Sequence, residues 1–173
     1  MVTFQVEPVE YCWGELEPMA KAHWASTASY RRHEPFSPDR TRYERYNEMG
    51  FFHLVTAREG ARLVGYFGLY LAPSMHSQLL TATEDTFYIH PEYRQGRLAV
   101  RMLKYVESYC RILGVHELLF SCEIDNVSGI DKLLTRLLDF TPVIVQYSKQ
   151  LSPPIHGADS AATVADVGRH VTA

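Results

Sequence analysis

Residues Ile89–Leu103, IHPEYRQGRLAVRML, decide the fold, because a β-like run passes here through a basic turn into a helical pattern. Pro91 ends regular strand pairing, since proline has no amide proton to donate to a ladder. From residue 96 to residue 113, apolar side chains recur at three- and four-residue spacing, which predicts an amphipathic helix. Gly114 suits the end of that helix. A strand therefore leads directly into a helix through the turn PEYRQGR.

A strand-to-helix turn of this kind directs the unpaired amides of the helix N-terminus beyond the end of the strand, and such amides bind anions. Arg94 and Arg97 add positive charge to the turn, and Arg101 or Lys104 could add more. The alternative interpretation of the turn by itself is an ordinary connection with solvated arginines.

The rest of the chain supplies strands and helices on both sides of this turn. The predicted order is a strand at 4–9, a helix at 13–26, a helix at 38–49, three strands in FFHLVTARE, RLVGYFGLYLAP and LLTATEDTFYIHP, the helix at 96–113, a buried strand HELLFSCEI, a helix NVSGIDKLLTRLLDF and a last strand VIVQYSKQL. Pro18 is compatible with the first helix only if regular helix begins near it. Residues 152–173 are rich in Ala, Ser, Gly and Pro, so we expect a flexible tail after a domain of residues 1–151.

The composition is that of one soluble globular domain, with 173 residues, 46% hydrophobic, 21% charged and a formal net charge of −3. This balance argues against binding nucleic acid by bulk electrostatics, so an anion site has to be local. The N-terminus lacks the pattern of a secretory signal, and no window holds the roughly 18 apolar residues of a membrane span. We therefore expect a cytoplasmic protein. Its oligomeric state stays open, a homodimer included.

Cysteine and histidine form no metal-binding pattern in this sequence. The three cysteines lack CxxC spacing, which indicates reduced thiols rather than a disulfide framework or a zinc site. The histidines of the predicted strands and loops also lack ligand spacing, namely His53, His76 and His90. We expect no metal.

With this order of elements, the turn resembles the acetyl-CoA signature of the GNAT superfamily of N-acetyltransferases, V-x-P-x-Y-[RQ]-x-x-G-x-[GA], which follows the fourth strand. Residues 89–99, IHPEYRQGRLA, correspond to it. Gly96 comes one residue early, and Arg97 stands where the family most often has glycine. The chain is also similar to GNAT-like proteins of bacteriophages, in which an ED-x-FY-I/L-x-P-x-YR-x-G run is familiar. The similarity extends from about Phe4 to Leu151.

The resemblance implies an α/β (α+β) fold with a mixed, mostly antiparallel sheet, splayed between strands four and five and flanked by helices. It implies acetyl-CoA in that gap, with the pantetheine paired to the backbone of Phe87, Tyr88 and Ile89. The pyrophosphate would meet the amides of the turn and first helical residues: Arg94, Gln95, Gly96, Arg97, Leu98 and Ala99. Asn126 matches an asparagine that often lies near coenzyme A in the family, although a helix N-cap explains it equally well.

Acetyl transfer to an amine by direct attack in a ternary complex needs a base for the amine and an acid for the departing thiolate. Glu84 and Asp85 open the fourth predicted strand. By the two-residue period of a strand, Asp85 shares a face with Phe87 and Ile89, whereas Glu84 points the other way. The position of the base in the family favours Asp85, with Glu84 second. A solvated acidic pair is the alternative.

The resemblance places Thr135 where the family's usual general acid is a tyrosine, and threonine is a poor acid. Tyr105 and Tyr147 are alternatives only if the fold brings them close. The sequence therefore predicts an N-acetyltransferase with an unidentified amine acceptor, and leaves open a weak or inactive module that binds coenzyme A or a macromolecular partner. The Arg- and Tyr-rich segment 30–46 is predicted to be a solvated face near the acceptor site rather than a nucleic-acid surface.

Overall fold

The computed structural model describes residues 1–27, 34–122 and 127–149. The elements in chain order are β1 (Val2–Glu7), α1 (Val9–Thr27), α2 (Arg40–Glu48), β2 (Phe52–Glu59), β3 (Arg62–Pro73), β4 (Leu80–Ile89), a 3₁₀ turn (Pro91–Tyr93), α3 (Leu98–Ile112), β5 (Glu117–Leu119) and α4 (Val127–Leu137). In the part of the chain that the structure describes, no helix is long and apolar enough to cross a membrane.

The five strands lie side by side in sequence order, β1-β2-β3-β4-β5. The first four are antiparallel neighbours, whereas β5 runs parallel to β4. Short turns join β2 to β3 and β3 to β4, and short turns between neighbours produce antiparallel pairs. The longer crossover through α3 brings the chain back, so that β5 starts beside the start of β4. The predicted mixed, mostly antiparallel sheet is confirmed.

Helices cover both faces of the sheet, and each face has its own hydrophobic cluster. We call one the α3 face, where α3 and α4 pack and where Phe67, Leu69 and Met102 are completely buried. We call the other the α1 face, where α1 and α2 pack over Phe52 and Tyr66. Because directly opposed residues of an antiparallel pair share a face, these two clusters show which way each β4 side chain points.

Two glycines of β3 allow β4 to approach closely. A Cβ on Gly65 would lie 2.9 Å from the Tyr88 carbonyl oxygen, and a Cβ on Gly68 would lie 3.0 Å from the Thr86 side chain. Larger residues at either position would separate the two strands. The glycines therefore set the position of the β4 segment in which the acidic pair and the predicted acetyl-CoA contacts lie.

The first helix does not begin near Pro18, as the sequence analysis expected. It begins at Val9 and continues through Pro18 to Thr27. Proline cannot donate to the carbonyl of Gly14 four residues earlier, which costs about 3 kcal/mol in an ordinary helix interior. Burial of the helix side that carries Cys12 and Leu16 against the sheet offsets this cost.

Residues 143–149 do not form the predicted last strand. Their side chains are exposed, with Val145 at 73% and Tyr147 at 90%. Alternating apolar residues are typical of a strand, but a strand also needs a neighbouring edge, and β5 offers only the three residues Glu117–Leu119. The predicted domain end at residue 151 and the predicted tail lie outside the described residues.

Candidate active site

A wedge-shaped gap opens where β4 and β5 separate. The two strands pair only over Thr81–Thr83 and Glu117–Leu119. Beyond that point, the β4 backbone from Glu84 to Ile89 pairs with β3 on one side and with no described strand on the other. A backbone edge without a neighbouring strand can bind an extended ligand as an additional strand would. At the end of this edge, the Ile89 carbonyl already accepts a hydrogen bond from Arg94.

A β-bulge lies in β4 at the start of this gap. Gly68 pairs with Thr86 and Leu69 pairs with Glu84, so Asp85 is the extra residue without a partner on β3. The bulge interrupts the two-residue alternation. Asp85 therefore points to the α1 face, and the prediction that it shares a face with Phe87 and Ile89 is wrong. Glu84 lies opposite Leu69 and points to the α3 face.

Asp85 lies beneath helix α2, where it meets a tyrosine. The hydroxyl of Tyr43 donates a hydrogen bond to Oδ2 of Asp85 over 3.2 Å. Desolvation in the cleft raises the pKa of Asp85, and the bond from Tyr43 opposes that rise. Burial, together with the Asp85 charge, raises the pKa of Tyr43, which keeps that hydroxyl protonated as the donor. Because the Asp85 side chain is exposed, water screens part of these effects.

Glu84 lies at the point where the two strands part. Its Oε2 accepts a hydrogen bond from the backbone amide of Ser121 over 3.3 Å, which joins β4 to the segment after β5. Desolvation raises the pKa of Glu84 to about 7, the Ser121 amide opposes the rise, and the Asp85 charge adds to it. The sequence places the two acidic residues next to each other, but the fold puts them on opposite faces and in different environments.

A histidine that the sequence analysis did not single out lies beside this pair on the α1 face. Nδ1 of His23 is 2.9 Å from the hydroxyl of Tyr66 and 3.2 Å from the hydroxyl of Thr86. Its ring stacks on Tyr88 with 4.7 Å between ring centroids. Burial, and then the nearby charge of Arg94, lower the pKa of His23 to about 4, so the imidazole is neutral at pH 7. The sequence signal that could have found it is the helical spacing of Trp13, Leu16 and Ala20, which continues at position 23 or 24.

The turn from β4 into α3 has the left-handed backbone that glycine adopts readily. Gly96 has φ +87°, and Arg97 follows as the N-cap of α3 without a side-chain hydrogen bond to the helix. Gly96, which comes one residue before the usual glycine of the family motif, therefore supplies the left-handed residue of this turn. The amides of the first turn of α3, starting at Leu98 and Ala99, receive no cap from the Arg97 side chain. Leu98 and Ile89, the last residue of β4, belong to the same buried cluster.

The arginines of this turn divide between structural contacts and solvent. Nε of Arg94 donates to the Ile89 carbonyl over 2.8 Å, and its guanidinium lies over the Tyr88 ring at 5.1 Å from the centroid. Its backbone amide donates to the Pro91 carbonyl over 3.2 Å. A guanidinium nitrogen of Arg101 donates to the Val2 carbonyl over 2.9 Å. Arg97 and Gln95 are exposed, as Lys104 is.

None of the three residues weighed as the proton donor suits that role. The hydroxyl of Thr135 donates to the Asp131 carbonyl of its own helix over 2.7 Å. The ring of Tyr105 packs 5.7 Å from Phe4 of β1, at the edge of the sheet opposite β5. Tyr147 is exposed and lies outside any strand or helix. Asn126, the predicted contact to coenzyme A, lies outside the described residues.

The Arg- and Tyr-rich surface is largely satisfied by its own charges. In α2, Nε of Arg40 lies 2.6 Å from a Glu44 oxygen, and Nε of Arg42 lies 3.4 Å from an Asp39 oxygen. These pairs fit the predicted solvated face, and residues 30–33 of that segment lie outside the described residues. Within residues 1–27, 34–122 and 127–149, no group of three or more His, Cys, Asp and Glu side chains could hold a metal ion.

Comparisons with known proteins agree with this geometry. The model of the acetyltransferase (GNAT) family matches residues 16–131, which include the gap, the bulge and the turn. The chain belongs to the acetyltransferase (GNAT) family. No curated protein matches the sequence. The similarity to bacteriophage proteins stays a prediction.

Solved structures of low sequence identity share the fold. A ribosomal-protein-alanine N-acetyltransferase from Brucella melitensis biovar Abortus 2308 is 17% identical, with a TM-score of 0.67 over 87% of this chain and 99% of that one. An aminoglycoside acetyltransferase from an uncultured soil metagenomic sample, in complex with sisomicin, is 10% identical, with a TM-score of 0.69 over 87% and 97%. A predicted acetyltransferase from Clostridium acetobutylicum, with acetyl-CoA, is 12% identical, with a TM-score of 0.65 over 87% and 97%.

Proposed function

We propose that the protein transfers the acetyl group of acetyl-CoA to an amine by direct attack in a ternary complex, without a covalent enzyme intermediate. The observation that carries this proposal is the unpaired β4 edge ending beside the N-terminus of α3, whose cap residue makes no side-chain bond to the helix. An extended amide-containing arm suits the first feature, and a pyrophosphate suits the second. Coenzyme A has both parts in this order. A family member crystallised with acetyl-CoA supports the choice of donor.

On this proposal, the pantetheine pairs with the backbone of Phe87, Tyr88 and Ile89. The pyrophosphate meets the amides from Gly96 to Ala99, with the exposed Arg97 supplying charge. Gln95 lies in the same turn. Arg94 contributes a contact only if its bonds to Ile89 and Pro91 open, because its side chain and its amide are both occupied.

Asp85 is the proposed base for the acceptor amine, on the α1 face. The amine nitrogen must lose a proton as it attacks the carbonyl carbon, and a carboxylate whose pKa is raised accepts that proton more effectively than an ordinary one. The Tyr43 hydroxyl holds the carboxylate in place through its hydrogen bond. Helices α1 and α2 border the acceptor side on this assignment.

The test begins with calorimetric titration of acetyl-CoA into the protein, followed by measurement of thiol release with a panel of amines. The panel includes a peptide with N-terminal alanine, an aminoglycoside and a small polyamine. Asp85→Asn should lower kcat roughly 100-fold and leave the affinity for acetyl-CoA unchanged. Tyr43→Phe removes a bond that lowers the pKa of Asp85, so the acidic limb of the pH profile should move to higher pH. Equal rates for wild type and Asp85→Asn would contradict the base role.

A second candidate function is a module that binds acetyl-CoA, or a macromolecular partner, without efficient turnover. This candidate is favoured by the engaged hydroxyl of Thr135, the position of Tyr105 at the β1 edge and the exposure of Tyr147, because none of these groups suits protonation of the departing thiolate. Tight binding of acetyl-CoA with no thiol release for any amine of the panel would support this candidate.

A further inference from the structure

We propose that Glu84 is the general acid, and that it donates the proton taken up by the thiolate of coenzyme A as the thioester bond breaks. The inference rests on the proposed acetyl transfer. It supplies a proton donor for the departing thiolate, a role for which Thr135, Tyr105 and Tyr147 are unsuitable. It differs from the expectation that Glu84 is a second candidate for the base.

Glu84 points to the face of the sheet on which the proposed phosphate site lies. Register places it opposite Leu69, on the α3 face of the sheet. The N-terminus of α3, the proposed phosphate site, belongs to the helix that packs on this same face. The bulge turns Asp85 to the α1 face, towards Tyr43. One inserted residue thus separates a carboxyl on the donor side of the sheet from a carboxyl on the acceptor side.

Glu84 also lies at the end of the gap where β4 and β5 part. The last β4–β5 pair joins Thr83 to Leu119, and beyond it the Ser121 amide donates a hydrogen bond to Oε2 of Glu84. The Phe87 and Phe120 rings also pack together, with 5.9 Å between centroids. The carboxyl therefore closes the narrow end of the gap. An acetyl donor lying along the open edge of β4, with its phosphates at α3, has its reactive end directed to this point.

The carboxyl of Glu84 can carry a proton at neutral pH. The causes that act on its pKa, in order, are desolvation, the Ser121 amide and the Asp85 charge, and the result is a pKa of about 7. A group whose pKa lies near the working pH is protonated often enough to act and acidic enough to release its proton. Two neighbouring carboxyls in different environments suit opposite roles.

The step balances without a further reagent. The amine nitrogen forms a bond to the carbonyl carbon and passes a proton to Asp85. The carbon–sulfur bond then breaks, and the sulfur takes the carboxyl proton of Glu84 to give the free thiol. The cycle leaves Asp85 protonated and Glu84 ionised, and exchange of one proton with water restores both groups.

The experiment compares wild type with Glu84→Gln, Glu84→Asp and the charge-matched control Glu107→Gln, whose residue lies in the second half of α3. For each, kcat is measured from pH 5.5 to 9 with acetyl-CoA and an accepted amine, and acetyl-CoA affinity is measured by calorimetry. In wild type and in the control, kcat should fall above about pH 7, as Glu84 loses its proton. Glu84→Gln should lower kcat roughly 30- to 100-fold and abolish that fall, with affinity for acetyl-CoA unchanged. Glu84→Asp should keep the fall at reduced kcat.

Two results would overturn the assignment. One is a kcat of Glu84→Gln within threefold of wild type. The other is a slower enzyme whose pH profile keeps its shape, because that pattern indicates only a structural bond from Glu84 to Ser121. Absence of turnover in the wild type, by contrast, would remove the proposed acetyl transfer itself and this role with it.

Discussion

Replacing Gly65 by alanine tests whether close approach of β3 to β4 positions the site. The added Cβ would lie 2.9 Å from the Tyr88 carbonyl oxygen, a separation that Cβ atoms in proteins essentially never show, and 3.3 Å from the Ile89 side chain. The neighbouring atom is backbone, so it cannot rotate away and the strands must move apart. Overpacking of this kind costs about 1–3 kcal/mol. For a chain of this size that cost lowers the melting temperature by roughly 2–12 °C.

A second glycine supplies a matched control. Gly14 lies inside α1, and a Cβ there would meet nothing within 4 Å. Alanine is the better helix residue by about 0.5–1 kcal/mol, so Gly14→Ala should raise the melting temperature. Gly65→Ala should also weaken acetyl-CoA binding, because Tyr88 and Ile89 belong to the proposed pantetheine edge. Circular dichroism on heating and calorimetric titration measure the two effects. A Gly65→Ala protein with wild-type stability would refute the reasoning.

Three further predictions concern charge and thiols. Nε and both terminal nitrogens of Arg58 donate to protein acceptors, and Arg58 lowers the pKa of Glu15. The stabilisation from this pair is therefore present above the unfolded pKa of Glu15 and is lost as pH falls through the lower folded pKa. In urea unfolding, Arg58→Met should be less stable than wild type at pH 7, and the difference in unfolding free energy should shrink in acid. Arg97→Ala should weaken acetyl-CoA binding roughly tenfold, or about 1.4 kcal/mol, whereas Arg111→Ala at the far end of α3 should leave the dissociation constant unchanged. A thiol reagent should modify Cys122 faster than the two buried cysteines, whose pKa values desolvation raises to about 11, and equal rates for all three would contradict their burial.

Local pattern determined most of the fold in advance. The apolar period of α3 and the stop at Gly114 each depend on residues close in sequence, and the structure has both. The turn from β4 into α3 was also predictable, because Pro91 cannot donate to a strand ladder and Gly96 readily adopts the left-handed backbone of a tight turn. The last strand was not predictable in this way, because a strand exists only where another edge receives it.

The two acidic residues of the proposed site were visible in the sequence, but the faces to which they point were decided by tertiary structure. Asp85 turns to the α1 face because β3 skips it between Gly68 and Leu69, a pairing that joins residues far apart in the chain. The same holds for the bond from Tyr43 to Asp85, which spans 42 positions.

The sequence by itself determined that a strand, a basic turn and a helix follow one another, and that two carboxyls precede them. Only the tertiary structure decided that Arg94 folds back onto Ile89, that His23 is neutral, and that Glu84 points to the α3 face. The physical reason is that pKa values, bulges and side-chain direction depend on which distant segments remove water and supply partners. Such contacts leave no periodic signal in the chain.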